Sequence, residues 1–269
     1  MGASEFGYSC FKTLFDIEQV EVVGVLTTPA SFELKYERGT KQRRMQNTVY
    51  EKLLHDCFDL GLACHVIDRI NSIDSVRKVK ELAPELIFVS GWYHIIGLDI
   101  IQSAPKGVVG LHSSLLPQYR GSAPLVWQII NGEKKAGISL FYFDEGVDSG
   151  DIIAQAEAVI EEYDTIKTLY EKVGGQGLKL MREYLPLIAS GTAPRIPQAN
   201  LSDDDIWPQR TEEDGLIDWN KSAREITDFV RAQTKPYPGA FTIINGKKIT
   251  IWDCKIVDLD NLPERAENG

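Results

Sequence analysis

One imidazole stands at the end of an apolar run in GLHSSLLPQYRG, residues 110–121, and a small, proline-punctuated loop follows it. Further on, FDEGVDSGD, residues 143–151, gathers carboxylates among glycines. A lone His such as His112 can do no more than satisfy a backbone carbonyl. Beside a carboxylate, the same ring has its tautomer fixed and becomes an acid or base that works near neutral pH. An Asp of the second loop can play that part only if both loops rise from strand ends of one sheet. Open parallel sheets bind their ligands outside the carboxyl ends of the strands.

The elements around these loops fit that requirement. VEVVGVLTT (Val20–Thr28), CHVID (Cys64–Asp68), ELIFVSG (Glu85–Gly91) and GVVGLH (Gly107–His112) are short apolar runs. Helical patterns such as VYEKLLHDCFDLG and SVRKVKELAP lie between them. Apolar strands alternating with helices read as a mostly parallel α/β sheet with helices on both faces. AGISLFYFD and GDIIAQAEAVI follow with little between them and suggest an antiparallel pair at one edge. TIKTLYEKVGGQGLKLMREYLPLIA is a long helix with Asp164 as candidate N-cap. The sequence opens at MGASEFG, which reads as the turn after a first strand, so either that strand is missing or the sheet lacks it.

Composition then shifts. Residues 190–205 carry prolines and a charge run and read as a linker between a domain over residues 1–189 and a smaller piece over residues 206–269. In that piece REITDFVRAQ is a helix. AFTIINGKKITIWDCKIV is a hairpin turning at Asn245-Gly246. The net charge of −10 argues against a general binder of nucleic acid or membrane. Cys10, Cys57, Cys64 and Cys254 form neither a CxxC nor a Cys/His ligand spacing, so no metal and no disulfide framework is expected. With no apolar run near membrane-spanning length, the reading is a cytoplasmic protein with reduced thiols.

The stretch GLHSSLLPQYRGSAPLVWQIINGEKKAGISLFYFDEGVDSGDIIAQ resembles the signature of the formyltransferases that use 10-formyltetrahydrofolate. EDGLIDWNKSAREITDFVRAQTKPYPGAF is similar to the second domain of the methionyl-tRNA and sugar-amine members of that group. The resemblance implies attack by a primary amine on the formyl carbon, with His112 as acid/base and Asp148 as its partner. It implies that Ser114, Leu115, Leu116 and Pro117 border the folate, that His94, Ile95 and Ile96 contact the pterin, and that Asp144, Glu145, Gly146 and Val147 close over it. The family pattern has an Asn two residues before the His, where its amide holds the formyl oxygen. Here that position is Gly110. Losing one such donor costs about 10²–10³ in rate in other enzymes. Either a protonated His112, a backbone N–H or a water replaces it, or catalysis is slow. An Asn at 110 would fit so long as no neighbour has filled the space.

The acceptor divides the readings. A nucleotide-linked amino sugar is preferred, because the chain is acidic and its second piece is too short for a full tRNA-binding barrel. Methionyl-tRNA is the alternative. It draws on the basic run LKYERGTKQRR (Leu34–Arg44), in which Arg43 and Arg44 are the candidate acceptor-binding residues. A non-catalytic folate-binding relative is the reading from another class, prompted by Gly110. A hydrolase that deformylates the folate with water is a minor third. A homodimer is the assembly considered.

Overall fold

The computed structural model describes residues 1–35, 42–199 and 202–257. Helix α1 (Glu5–Leu14), capped by Ser4, leads into β1 (Val25–Thr27), the only laddered part of the apolar run from Val20 to Thr28. A hairpin follows, β2 (Ser31–Lys35) and β3 (Gln42–Gln46). Then come α2 (Tyr50–Asp59), β4 (Cys64–Val66), α3 (Ile73–Leu82), β5 (Ile87–Val89), α4 (Leu98–Ile101), β6 (Val108–His112) and α5 (Pro124–Ile130). Strands β7 (Lys135–Tyr142) and β8 (Ile152–Val159) precede the long helix α6 (Ile166–Ser190). Helix α7 (Ala223–Gln233) and strands β9 (Ala240–Ile244) and β10 (Lys247–Ile251) complete the described chain.

Strands β1 and β4 pair in parallel, as do β5 and β6, whereas β6–β7 and β7–β8 are antiparallel. Residues 1–3 run between the two groups: Met1 donates to Phe88 O, Ser90 N–H to Met1 O, and Gly2 N–H to Leu26 O. The expected edge pair is present, and the α/β class holds.

Alternation along β7 sorts its side chains between two faces. Ile138, Leu140 and Tyr142 join the main core with α5 and α6 residues such as Leu125, Ile129, Leu169, Val173 and Met181. Ser139 and Phe141 face the other way. There Leu116, Phe141 and Ile152 form a small cluster with Phe143 against it. The loop after β6 therefore covers this face.

Helix α6 starts one residue later than Asp164 suggests. Thr165 is the N-cap and forms a capping box with Thr168, while the buried Asp164 carboxylate accepts Glu161 N–H, Thr168 Oγ1 and Lys172 Nζ. The basic run is not a plain loop either, since β2 and β3 pair antiparallel across it, Leu34 opposite Arg43. Helix α7 has its own capping box from Ser222 and Glu225, and Ile217, Val230 and Ala240 make a local core with the hairpin. Asn245 and Gly246 both have positive φ, 50° and 73°, as a two-residue hairpin turn requires. Arg231 docks α7 on the rest, donating to Asp164 O at 2.7 Å and Glu161 O at 3.1 Å. Among the described residues no helix is long and apolar enough to cross a membrane.

Candidate active site

His112 is the last residue of β6, opposite Ser139 of β7. Its ring is nearly buried and touches acceptors at both nitrogens. Nε2 lies 2.9 Å from Tyr119 O, and Nδ1 lies 3.4 Å from Asp148 Oδ2. The ring thus satisfies a backbone carbonyl and pairs with a carboxylate as well. The neutral ring keeps Nε2–H on the carbonyl, and a doubly protonated ring donates at both ends. Phe141 packs edge-on against it at 6.5 Å.

Asp148 sits in left-handed backbone, φ 50°, and Oδ2 also accepts Gly121 N–H at 2.9 Å. The loop bearing it is folded on itself: Asp144 Oδ1 accepts Gly146 N–H at 3.0 Å and Ser149 Oγ at 2.6 Å. Gly150 is obligatory, because a Cβ there would stand 1.9 Å from Tyr142 O. Asp144, Glu145 and Gly146 are exposed and Val147 is half-buried.

The loop after His112 is held from below by polar side chains, of which Ser139 and Gln128 are buried and Gln155 is exposed. Ser139 Oγ donates to Ser114 O at 2.6 Å and accepts Leu116 N–H at 3.0 Å. Gln155 Nε2 donates to Leu116 O at 2.9 Å and Ser139 Oγ at 2.8 Å. Gln128 Nε2 reaches Ser113 O at 3.0 Å. Ser114 is fully buried and spends its hydroxyl on Gln118 O at 2.6 Å, so it braces the loop. Leu116 is buried, Leu115 lies across Gly137, and Pro117 is exposed after a cis peptide bond.

The space beside Gly110 has been filled. A Cβ at Gly110 would lie 2.6 Å from the Phe143 ring and 2.7 Å from Val89 O. Phe143 stacks on Phe141 at 4.9 Å. An amide at 110 would need room that Phe143 and the backbone of β5 occupy, so the condition for an Asn there is not met.

The segment after β5 is divided. Ile95 is 63% exposed, whereas Ile96 is buried in the core with Val89 and Ile100 and faces away from solvent. His94 is half-buried, and burial pushes its imidazole below the ordinary range against a weaker opposite pull from Asp68. Among the described residues, His94 Nε2 and the neighbouring Trp92 Nε1 are buried without hydrogen-bond partners. Phe32 of β2 packs on the rings of Tyr93 and His94 at 5.5 and 5.9 Å. Arg44 is exposed, with Nε donating to Ser31 Oγ at 2.6 Å. The side chain of Arg43, like residues 36–41, lies outside the described part of the chain.

Ser139, Gln155 and Phe143 are absent from the sequence expectations. Ser139 left one signal, a polar residue at an inward position of an apolar strand.

The family profile described as formyl transferase matches residues 17–185, and that described as formyl transferase, C-terminal domain, matches residues 210–266. A sugar N-formyltransferase from Shewanella sp superposes with a TM-score of 0.68 at 19% identity, over 95% of this chain and 97% of that one. The N-formyltransferase from Helicobacter canadensis, solved with folinic acid and dTDP-3-aminofucose, gives 0.61 at 20% identity over 93% and 86%. HypX from Aquifex aeolicus gives 0.62 at 19% identity, over 87% of this chain and 39% of that one.

Proposed function

This chain belongs to the formyl transferase family, and we propose that it moves the formyl group of 10-formyltetrahydrofolate to the amine of a nucleotide-linked amino sugar, with His112 and Asp148 managing the protons. The observation that carries the reading is the His112–Asp148 pair, set between a carbonyl and a carboxylate at the end of β6. The residues suit a folate. Among the described residues, Trp92 Nε1 and His94 Nε2 are buried polar atoms without partners, as a heterocycle's ring atoms could use, and Ile95 beside them offers exposed apolar surface.

The folate supplies an activated formyl carbon. The chain's part is to move a proton without water intruding. With Nε2–H kept on Tyr119 O, the pair formed by Nδ1 of His112 and Oδ2 of Asp148 takes the proton that the attacking amine gives up and holds it between them. The ring returns that proton to the departing folate nitrogen. One amine N–H has then been exchanged for an N–formyl bond, and His112 ends as it began. Leu116, Phe141 and Phe143 wall the site on the sheet side. Residues 144–147 lie on its exposed side.

The amino-sugar acceptor is supported by the net charge of −10, which disfavours a tRNA surface, and by the ligand printed for the Helicobacter canadensis protein. Phe143 over Gly110 favours a second reading, folate binding without turnover. Tetrahydrofolate release separates the readings when the protein is incubated with 10-formyltetrahydrofolate and either dTDP-amino sugars or methionyl-tRNA. Release with an amino sugar alone is expected. Folate binding with no release under any acceptor contradicts the reading and leaves the non-catalytic one.

A further inference from the structure

The acid–base pair is held by backbone that is itself held from behind. Tyr119 O accepts from His112 Nε2, and Gly121 N–H donates to Asp148 Oδ2, so residues 119–121 grip both partners. On their far side lie residues 196–199 and 202–208, here called the strap, which neither family profile covers. Trp207 N–H donates to Arg120 O at 2.8 Å, and Ser122 N–H donates to Trp207 O at 2.9 Å. The Trp207 ring stacks on Tyr119 at 5.0 Å and 24°, with Trp127 against it at 5.0 Å. So close is the approach that a Cβ at Gly121 would lie 2.5 Å from Trp207 O.

The strap reaches the Asp148 loop as well. The buried Arg120 guanidinium donates to Val147 O at 3.3 Å and to Ser202 O. Gln198 Nε2 donates to Asp148 O at 3.0 Å and Gly150 O at 2.7 Å.

We propose that Trp207 is a positioning residue for the His112–Asp148 pair, acting through Tyr119. This rests on the formyl-transfer reading only where rates are concerned. Tyr119 is a non-glycine residue with φ 56°. Such backbone is strained and persists only where its surroundings over-determine it. The stack on Trp207 and the two backbone bonds beside it supply that constraint. Without the ring, the 119–120 peptide turns toward ordinary backbone and its carbonyl leaves His112 Nε2.

The test compares Trp207→Phe, which keeps a flat ring, with Trp207→Leu, which keeps apolar bulk without one. Both retain the backbone bonds. The chain has four histidines, so in ¹⁵N-histidine-labelled protein the imidazole N–H signal of His112 is the one lost in His112→Asn. Wild type and Trp207→Phe should show that Nε2–H protected from solvent exchange, and Trp207→Leu should lose the protection. Single-turnover tetrahydrofolate release should fall about tenfold to a hundredfold in Trp207→Leu at unchanged folate affinity, the scale expected for a displaced catalytic group. Equal protection and equal rates in the two variants would overturn the proposal. Lost protection in Trp207→Leu, with full activity in His112→Asn, would uphold the positioning and sink the acid–base reading instead.

Discussion

The loop after β6 and the β2–β3 hairpin each follow the carboxyl end of a strand, yet they are attached by opposite means. The first rests on the buried Ser139 and Gln128 and on the exposed Gln155 beside them, all bonding its backbone directly. Among the described side chains, Phe32 is the buried apolar anchor of the second, and its polar bonds, such as Arg44 to Ser31, are exposed. A hydrogen bond left unmade in a buried network costs far more than one at the surface. The loop carrying His112 is therefore set before any ligand arrives, as proton transfer at fixed geometry requires.

The comparison breaks first at the sheet beneath the acid–base loop. Gly110→Asn would put a side chain into Phe143 and the β5 backbone. Overpacking typically costs about 1–3 kcal/mol, and overlap with backbone belongs at or above the top of that range. A large fall in melting temperature is expected, with no gain in rate. A variant as stable as wild type would show that Phe143 moves aside.

Ser139→Ala comes next. It strands Leu116 N–H in a buried site, at a cost of about 1–3 kcal/mol by urea unfolding. Turnover should fall with it as the loop loosens. A cost within surface-mutation range would remove the contrast between the two regions.

The smallest effect belongs to the hairpin. Arg44→Ala should change stability by no more than about 0.5 kcal/mol, as exposed substitutions do. Its KM for the acceptor should rise several-fold at constant kcat, the mark of binding made equally in ground and transition states. A shallow salt dependence is expected for a nucleotide sugar and a steep one for a tRNA. Unchanged kinetics would make this strand plain solvated surface.

Much of the frame was legible in the sequence because apolar runs and turn residues carry it. Both edge strands, the long helix and the Asn245-Gly246 hairpin follow from period and punctuation alone. The run Val20–Thr28 overstated β1 because apolar residues pack without joining a ladder. Asp164 looked like a cap because it is an acid before a helix, but Thr165 has the extended backbone a cap needs. His112 and Asp148 were visible through the family signature, and the structure sets them 3.4 Å apart. Phe143 was not visible, since nothing in FYFDEG says which ring fills a glycine's missing side chain. The strap was hidden for a related reason. Its hold on residues 119–121 runs through backbone bonds and one stacked ring, and backbone bonding leaves no mark on residue type.

The central claim is that His112 does the proton work of formyl transfer on a preformed loop. Its most direct test is tetrahydrofolate release by His112→Asn against wild type, with folate affinity measured alongside on the same preparations. Release should drop by about 10²–10⁴, the usual contribution of a general acid–base group, while folate affinity stays within about tenfold. Turnover in His112→Asn equal to wild type would contradict the claim.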